Sequence, residues 1–154
     1  MITAWRILKA KHQEHAFDGE GARRAGGRWN SRGVPVVYCS AHVSLAALEL
    51  LTQLQAVGPL SAYVVIPVRF AERFVESVDI EALPADWGAY PAPPSLRALG
   101  DTWATRLRSV VLRVPSVVVP HEANYLMNPL HSDFKLLELG NPKPFAFDVR
   151  LLQS

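Results

Sequence analysis

Short apolar runs, separated by loops rich in glycine and proline, constrain the fold of this chain most strongly. Runs of strand length are ITAWRILKA at 2–10, VPVVYCS at 34–40, SAYVVIPV at 61–68, SVVLRVPSVVVP at 109–120 and FAFDVRL at 145–151. The fourth run is predicted to be two strand segments interrupted by Pro115, because proline cannot donate a ladder hydrogen bond. Strands outnumber helices, which predicts a single α+β domain over residues 1–154, with mixed, largely antiparallel sheets and a few helices.

Two segments carry apolar residues at helical spacing. HVSLAALELLTQLQ, residues 42–55, is predicted to begin after a Ser40 cap and to stop at Gly58 and Pro59. SLRALGDTWATRL, residues 95–107, is predicted to be the second helix. Its expected apolar face consists of Leu96, Leu99, Trp103 and Leu107.

Three segments are predicted to be irregular because they are polar or rich in turn residues. These are the Gly-rich stretch 12–33, the proline-rich stretch 82–94 and the polar stretch 121–134. The first is long for a loop in a small domain, and long ordered loops often carry function.

Charge and cysteine content exclude several classes of protein. Sixteen basic residues against 14 acidic ones give a net charge of +2, and the basic residues form no stripe, so direct nucleic-acid binding is not expected. The single cysteine, Cys39, excludes an internal disulfide and fits a reducing compartment.

No signal peptide or membrane span is evident, so we expect a soluble, cytoplasmic protein. HQEH lacks the HExxH spacing, so no metal site is expected.

Candidate binding residues cluster where the Gly-rich loop enters the second strand. Arg28 offers a planar donor fork that matches a phosphate, although a surface arginine beside a flexible turn is the simpler interpretation. Trp29 either covers a planar ligand or anchors the core. Alternation along VPVVYCS places Val36, Tyr38 and Ser40 on one face, where Tyr38 either stacks on a ligand or is simply half-buried.

Glu49 and Ser116 are the candidates for catalysis. Glu49 is the one charged residue in the first predicted helix, so it is either a solvated glutamate or a carboxylate aimed into a cleft. Ser116 follows the break at Pro115, and no G-x-S-x-G motif surrounds it, so a hydrogen-bonding role is favoured over a nucleophilic one. Asn124 and Asn128 lie in a turn-rich segment, where they either bond their own backbone or recognise ribose and amide groups.

Taken in order, these segments resemble the RES domain toxins of bacterial toxin–antitoxin pairs. The matching stretches are WRI, GGRWNSRGVPVVYCS, the ALELL helix and RVPSVVVPHEANYLMNPLH. The resemblance implies a fold similar to ADP-ribosyltransferase toxins, with NAD⁺ consumed as a substrate rather than held as a cofactor. It also implies a helix-turn-helix antitoxin of the Xre type that blocks the active site, and self-association into a homodimer is a further expectation.

The resemblance assigns catalytic roles to Arg28, Tyr38, Glu49 and Ser116. Glu49 would stabilise an oxocarbenium-like state, while Arg28 would clamp the pyrophosphate. Tyr38 would stack on nicotinamide, and Ser116 would orient Glu49 or bond the ribose. The further binding residues implied are Arg6, Trp29, Asn30, Asn124 and Asn128.

The sequence leaves the acceptor of ADP-ribose open among water, phosphate and a protein side chain. Two other classes of function stay open beside the NAD⁺-consuming toxin. One is a non-catalytic interaction module with the same fold, and the other is a small hydrolase using Ser116.

Overall fold

A single mixed sheet organises the computed structural model, which describes residues 1–54 and 62–152. Its strands are β1 (Ile2–Lys9), β2 (Val37–Ser40), β3 (Tyr63–Phe70), β4 (Val75–Ser77), β5 (Val111–Pro115), β6 (Ala123–Met127), β7 (Glu138–Leu139) and β8 (Lys143–Phe145). The helices are α1 (Glu20–Ala25), α2 (Val43–Leu51) and α3 (Pro94–Thr105). Short 3-10 helices cover Ala10–His15, Glu72–Phe74, Ile80–Ala82, Ser132–Leu136 and Val149–Leu152.

The sheet has the strand order β4-β5-β6-β2-β1-β3-β7, and β8 also pairs with β3. Every described pair is antiparallel except β4 with β5. The longest ladder joins β1 to β3, from Ile2 opposite Phe70 to Lys9 opposite Tyr63, and both strands are rich in β-branched and aromatic residues. The predicted α+β class with a largely antiparallel sheet is confirmed.

The two faces of β2 enter different parts of the core. Val37 and Cys39 pack in one cluster with Val68 and Phe70. Val36, with Tyr38 against it, packs in another cluster whose largest members are Trp29, Leu96 and Trp103. The predicted alternation along this strand is therefore confirmed, and Cys39 is a small, buried core residue.

Both predicted helices form, but their ends differ from the predictions. The residue before α2 is His42, whereas Ser40 is the last residue of β2 and pairs with Asn124, so Ser40 does not cap the helix. The predicted stop at Gly58 and Pro59 lies outside the described residues. In α3, Leu96 and Trp103 are buried as expected, but Leu107 follows the helix end with φ 53° and is half exposed.

Three predictions about strands and loops were wrong. The stretch 12–33 contains α1, whose Glu20 accepts hydrogen bonds from Arg23. Residues after Pro115 form a turn rather than a second strand segment, because the Ser116 hydroxyl accepts the next amides. The polar stretch 121–134 contains β6, whose apolar residues are interrupted by Asn124.

The carboxyl-terminal prediction was also wrong. Residues 145–151 were expected to be a strand, but β8 ends at Phe145 and a 3-10 helix covers Val149–Leu152. Asp148, just before this helix, accepts bonds from the Arg150 backbone and guanidinium, which favours a local turn over pairing with a neighbouring strand.

Candidate active site

A cleft of about 1330 Å³ opens between the Gly-rich segment, the end of α2 and the proline-rich stretch before α3. The arginines that line it are Arg6, Arg28, Arg32 and Arg97. Among the described lining residues, Glu49 is the one carboxylate. The excess of positive charge favours an anionic ligand, although the chain as a whole carries a net charge of only +2.

The carboxylate of Glu49 is held at one oxygen by two donors. Glu49 lies in the last turn of α2, and its Oε1 accepts hydrogen bonds from Ser116 Oγ at 2.7 Å and Asn124 Nδ2 at 2.9 Å. Both bonds fix the direction of the carboxylate without neutralising it, because both donors are uncharged. The solvated-glutamate interpretation is therefore wrong, and the structure places Glu49 in a cleft.

Ser116 is fully buried at the turn that follows β5. Its hydroxyl donates to Glu49, and its oxygen accepts the amides of Val118 and Val119, each at 3.1 Å. A nucleophilic serine needs an exposed oxygen and a base that accepts its proton during attack. Ser116 has no exposure, so the structure supports its orienting role and not a serine-hydrolase site.

Asn124 connects Glu49 to β2. Its Nδ2 donates to Glu49, while its Oδ1 accepts a bond from Ser40 Oγ at 2.7 Å. The strand register explains this arrangement, since Ser40 and Asn124 are directly paired. The result is a chain of uncharged hydrogen bonds that runs from the sheet to the carboxylate.

Tyr38 lines the cleft with a ring whose hydroxyl is fixed at both sides. The hydroxyl donates to Asn30 Oδ1 at 2.6 Å and accepts the Trp29 amide at 3.1 Å. Burial raises the pKa of this phenol well above its ordinary value, so it stays protonated and is not a general base. Gly27 makes room for it, because a Cβ there would lie 2.8 Å from the Tyr38 oxygen.

Arg28 lines the cleft and also anchors the proline-rich stretch. Its Nη1 donates to the carbonyl oxygens of Trp87 at 3.1 Å and Ala89 at 3.0 Å. These two bonds occupy one nitrogen of the guanidinium. They hold Arg28 in place across the cleft, so the simpler expectation of a surface arginine beside a flexible turn is wrong.

Arg6 reaches the cleft from the middle of β1. Its Nη1 donates to the Tyr38 carbonyl at 2.9 Å, and its buried Nε has no hydrogen-bond partner among the described residues. Burial lowers the pKa of this guanidinium below its ordinary value.

Three expected binding residues are buried, and their side chains make structural contacts. The Trp29 ring is buried with Leu96 and Trp103, so only the core interpretation fits it. Asn30 is fully buried and uses its amide on the carbonyls of Ala22, Ser31 and Val34. Asn128 is buried away from the cleft, where it donates to the Ala104 carbonyl and accepts the Leu130 amide.

Sequence reasoning missed Ser40, Tyr90 and Arg97 as members of the site. A signal existed for Ser40, because strand alternation placed it on the same face as Tyr38. Tyr90 reaches the cleft through the path of the proline-rich stretch, for which the sequence carries no periodic signal, whereas Arg97 reaches it from α3.

Two further features are absent from the parts of the chain that the structure describes. No group of three or more histidine, cysteine, aspartate or glutamate side chains there is arranged to hold a metal ion. No helix in residues 1–54 or 62–152 has the length and apolar character required to cross a membrane.

Known proteins resemble this chain over nearly its whole length. A family model described as RES domain matches residues 3–148. Prs ADP-ribosylating toxin of Sphingobium sp. (strain YBL2) is 36% identical over 156 residues, which cover 97% of this chain and 96% of the relative. Toxin Res of Photorhabdus laumondii is 34% identical over 154 residues and 99% of each chain.

A solved structure shares the fold. The crystal structure of the M. tuberculosis MbcT-MbcA toxin-antitoxin complex matches with a TM-score of 0.73 and 21% identity, covering 94% of this chain and 84% of that chain. This match confirms the α+β fold that the sequence resemblance implied.

Proposed function

This chain belongs to the RES domain family, and on that premise we propose that it is a bacterial toxin that cleaves the bond between nicotinamide and ribose in NAD⁺. The observation that carries the proposal is the Glu49 carboxylate, held at one oxygen by Ser116 and Asn124 in a cleft that four arginines also line. A fixed carboxylate beside cationic groups suits a dinucleotide that develops positive charge at its ribose and carries negative charge on its phosphates.

Breaking the bond produces charges that Glu49 is suited to meet. The electron pair of the carbon–nitrogen bond goes to nicotinamide, whose ring nitrogen changes from cationic to neutral. The ribose left behind carries positive charge shared between its anomeric carbon and ring oxygen, as in glycoside cleavage. Glu49 would stabilise that charge or accept a hydrogen bond from a ribose hydroxyl. Because nicotinamide leaves as a neutral base, no general acid is required.

The arginines would hold the pyrophosphate. Arg28 is fixed at the cleft by the Trp87 and Ala89 carbonyls, so little rotamer freedom remains to be lost when it binds an anion. Arg6 presents a second cationic group whose buried Nε lacks a partner among the described residues. A guanidinium can donate two parallel hydrogen bonds to phosphate oxygens. Such a pair of bonds would orient the dinucleotide and strengthen its binding.

The ADP-ribose released from nicotinamide requires an acceptor. Water, phosphate or a protein side chain would each complete the reaction with the same first step. The similarity to Prs ADP-ribosylating toxin supports a protein target. In the described part of the cleft, Glu49 is the single carboxylate, so a second acidic side chain does not assist the acceptor there.

The partner we propose is a helix-turn-helix antitoxin of the Xre type that covers the cleft. The similarity to relatives named Toxin Res and to the MbcT-MbcA complex supports an antitoxin. A cleft of about 1330 Å³ that is open to solvent gives such a partner a surface to occupy.

The test is brief induction of the protein in cells, followed by measurement of growth and total NAD⁺. Wild type should stop growth and lower NAD⁺, whereas Glu49→Gln should do neither. Glu138→Gln, which changes an exposed carboxylate on β7, is the matched control and should behave as wild type. Growth arrest by Glu49→Gln with steady NAD⁺ would contradict the proposal and favour the non-catalytic interaction module.

A further inference from the structure

Tyr90 is an exposed aromatic residue at the rim of the cleft. Its side chain is 94% exposed, although it lines the same cleft as Glu49 and Arg28. An aromatic ring usually buries its apolar faces, so a ring left open at a binding cleft is suited to a planar partner. The other rings near the cleft differ, since Tyr38 is partly covered and Trp29 lies in the core.

The backbone that carries Tyr90 is anchored on both sides. Before Tyr90, the carbonyls of Trp87 and Ala89 accept bonds from Arg28 Nη1. After it, the Ala92 carbonyl accepts a bond from Arg97 Nη1 at 3.0 Å. The same two arginines line the cleft, so the position of Tyr90 is fixed relative to the groups that would hold phosphate.

A chain of contacts links the site residues from Glu49 to the backbone beside Tyr90. Asn124 is hydrogen-bonded to both Glu49 and Ser40. Tyr38 lies two residues before Ser40 on the same face of β2, so the two residues are about 7 Å apart along the strand. Beside Tyr38 is the Gly27–Trp29 backbone, whose Trp29 amide donates to the Tyr38 hydroxyl. From this backbone the Arg28 side chain extends to the Ala89 carbonyl, next to Tyr90.

Glu49 and Tyr38 at one end, Arg28 in the middle and Tyr90 at the other end match the order of nicotinamide riboside, pyrophosphate and adenosine in the dinucleotide. We propose that Tyr90 stacks on the adenine ring of NAD⁺, so that adenine lies at the proline-rich stretch while nicotinamide lies beside Tyr38 and Glu49. The inference rests on the proposed function, because it assigns the far end of the same substrate. Arg28, between the two rings, would contact the pyrophosphate, which lies between the two nucleosides in NAD⁺.

The experiment compares two substrates that differ in the adenylate half. NAD⁺ and nicotinamide mononucleotide share the bond to be cleaved, but only NAD⁺ carries adenine. Tyr90→Ala should raise the KM for NAD⁺ about ten- to hundredfold with kcat nearly unchanged, because base–aromatic stacking is lost. The kcat/KM for the mononucleotide should change less than twofold. Tyr90→Phe, which keeps the ring, should restore the KM for NAD⁺.

Leu130→Ala is the matched control, because Leu130 is 69% exposed and does not line the cleft. Equal effects of Tyr90→Ala on both substrates, or no effect on either, would overturn the inference while leaving NAD⁺ cleavage intact. If wild type neither binds nor cleaves NAD⁺, the proposed function and this inference both fail.

Discussion

We propose that Ser116 positions Glu49 rather than contacting substrate, because its hydroxyl is fully buried and already donates a hydrogen bond to the carboxylate. Ser116→Ala removes one of the two donors that hold Glu49 Oε1 and leaves the Val118 and Val119 amides without that acceptor. We expect kcat for NAD⁺ cleavage to fall about ten- to hundredfold, as for loss of one hydrogen bond to a charged group, with a smaller change in KM.

The comparison that checks this role is Ser116→Ala against Glu49→Gln in the same steady-state assay. Glu49→Gln should cost more, because it removes the charge itself. A larger loss in Ser116→Ala, together with a covalent adduct on Ser116, would contradict the orienting role.

Cys39 is a buried thiol whose ionisation is coupled to folding. Burial raises the pKa of the Cys39 thiol to about 12 from an ordinary value of 9.0. Between these values the unfolded chain has lost the proton and the folded chain retains it, so the free energy of unfolding falls as pH rises above about 9. Urea unfolding at several pH values should show a shallower decline in Cys39→Ala than in wild type. Identical slopes would show that this thiol does not titrate with unfolding.

Several of the residues that line the cleft could be named from the sequence, but which of the candidates contact ligand and which are buried could not. The family resemblance implied that Arg28, Tyr38 and Glu49 belong to one site, and the structure brings all three to the lining of the cleft. Trp29 and Asn128 were expected to contact ligand, yet both are buried. Their burial depends on contacts with α3 and the segment after it, which are distant in the sequence, so no local pattern separates a core tryptophan from a ligand-binding one.

At the scale of elements, α3 packs directly on the backbone of the Gly-rich segment. A Cβ built on Gly100 would lie 1.7 Å from the Trp29 carbonyl oxygen, which is far inside any allowed contact. The Asp101 carboxylate accepts the Ser31 amide at 2.8 Å, so the next helical residue reinforces the same contact. The close approach of α3 therefore holds in place the segment that carries Arg28.

Gly100→Ala should consequently destabilise the protein. We expect the free energy of unfolding to fall by at least about 2 kcal/mol, because the obstructing atom is backbone and cannot rotate away. Gly21→Ala is the matched control, since Gly21 is exposed in α1 with nothing within 4 Å of its added Cβ, and alanine there should be neutral or stabilising by up to about 1 kcal/mol. Equal unfolding midpoints for Gly100→Ala and wild type would contradict the packing.

The elements that could be predicted are those with a hydrophobic period of their own. β1, β3, α2 and α3 are long enough for apolar spacing to identify them. β6 was missed because Asn124 interrupts its apolar residues, and that asparagine is directed to Glu49 rather than to solvent. The second strand expected after Pro115 is absent because Ser116 bonds its own turn. In both places a polar residue that bonds to Glu49, Asn124 or Ser116, interrupts the apolar spacing from which a strand is predicted.

For the whole molecule, the central feature is the concentration of positive charge at one cleft of a chain with little net charge. Four arginines and one glutamate line this cleft within the described residues. If these arginines hold the pyrophosphate, the KM for NAD⁺ should rise several-fold between low salt and about 0.5 M salt. At the higher concentration the attraction between charges reaches only a few ångströms. Nicotinamide riboside, which lacks phosphate, is the control substrate and should show no such rise. A flat salt dependence for NAD⁺ would contradict the role of the arginines.

The measurement that tests the central claim most directly is the release of nicotinamide from NAD⁺ by the purified protein, with the other product identified by mass. Wild type should release nicotinamide, and Glu49→Gln should release it at least about a hundredfold more slowly while retaining the wild-type unfolding transition. The mass of the second product would distinguish water, phosphate and protein as acceptor. Release at equal rates by wild type and Glu49→Gln, or no release by a folded wild-type protein, would contradict the account.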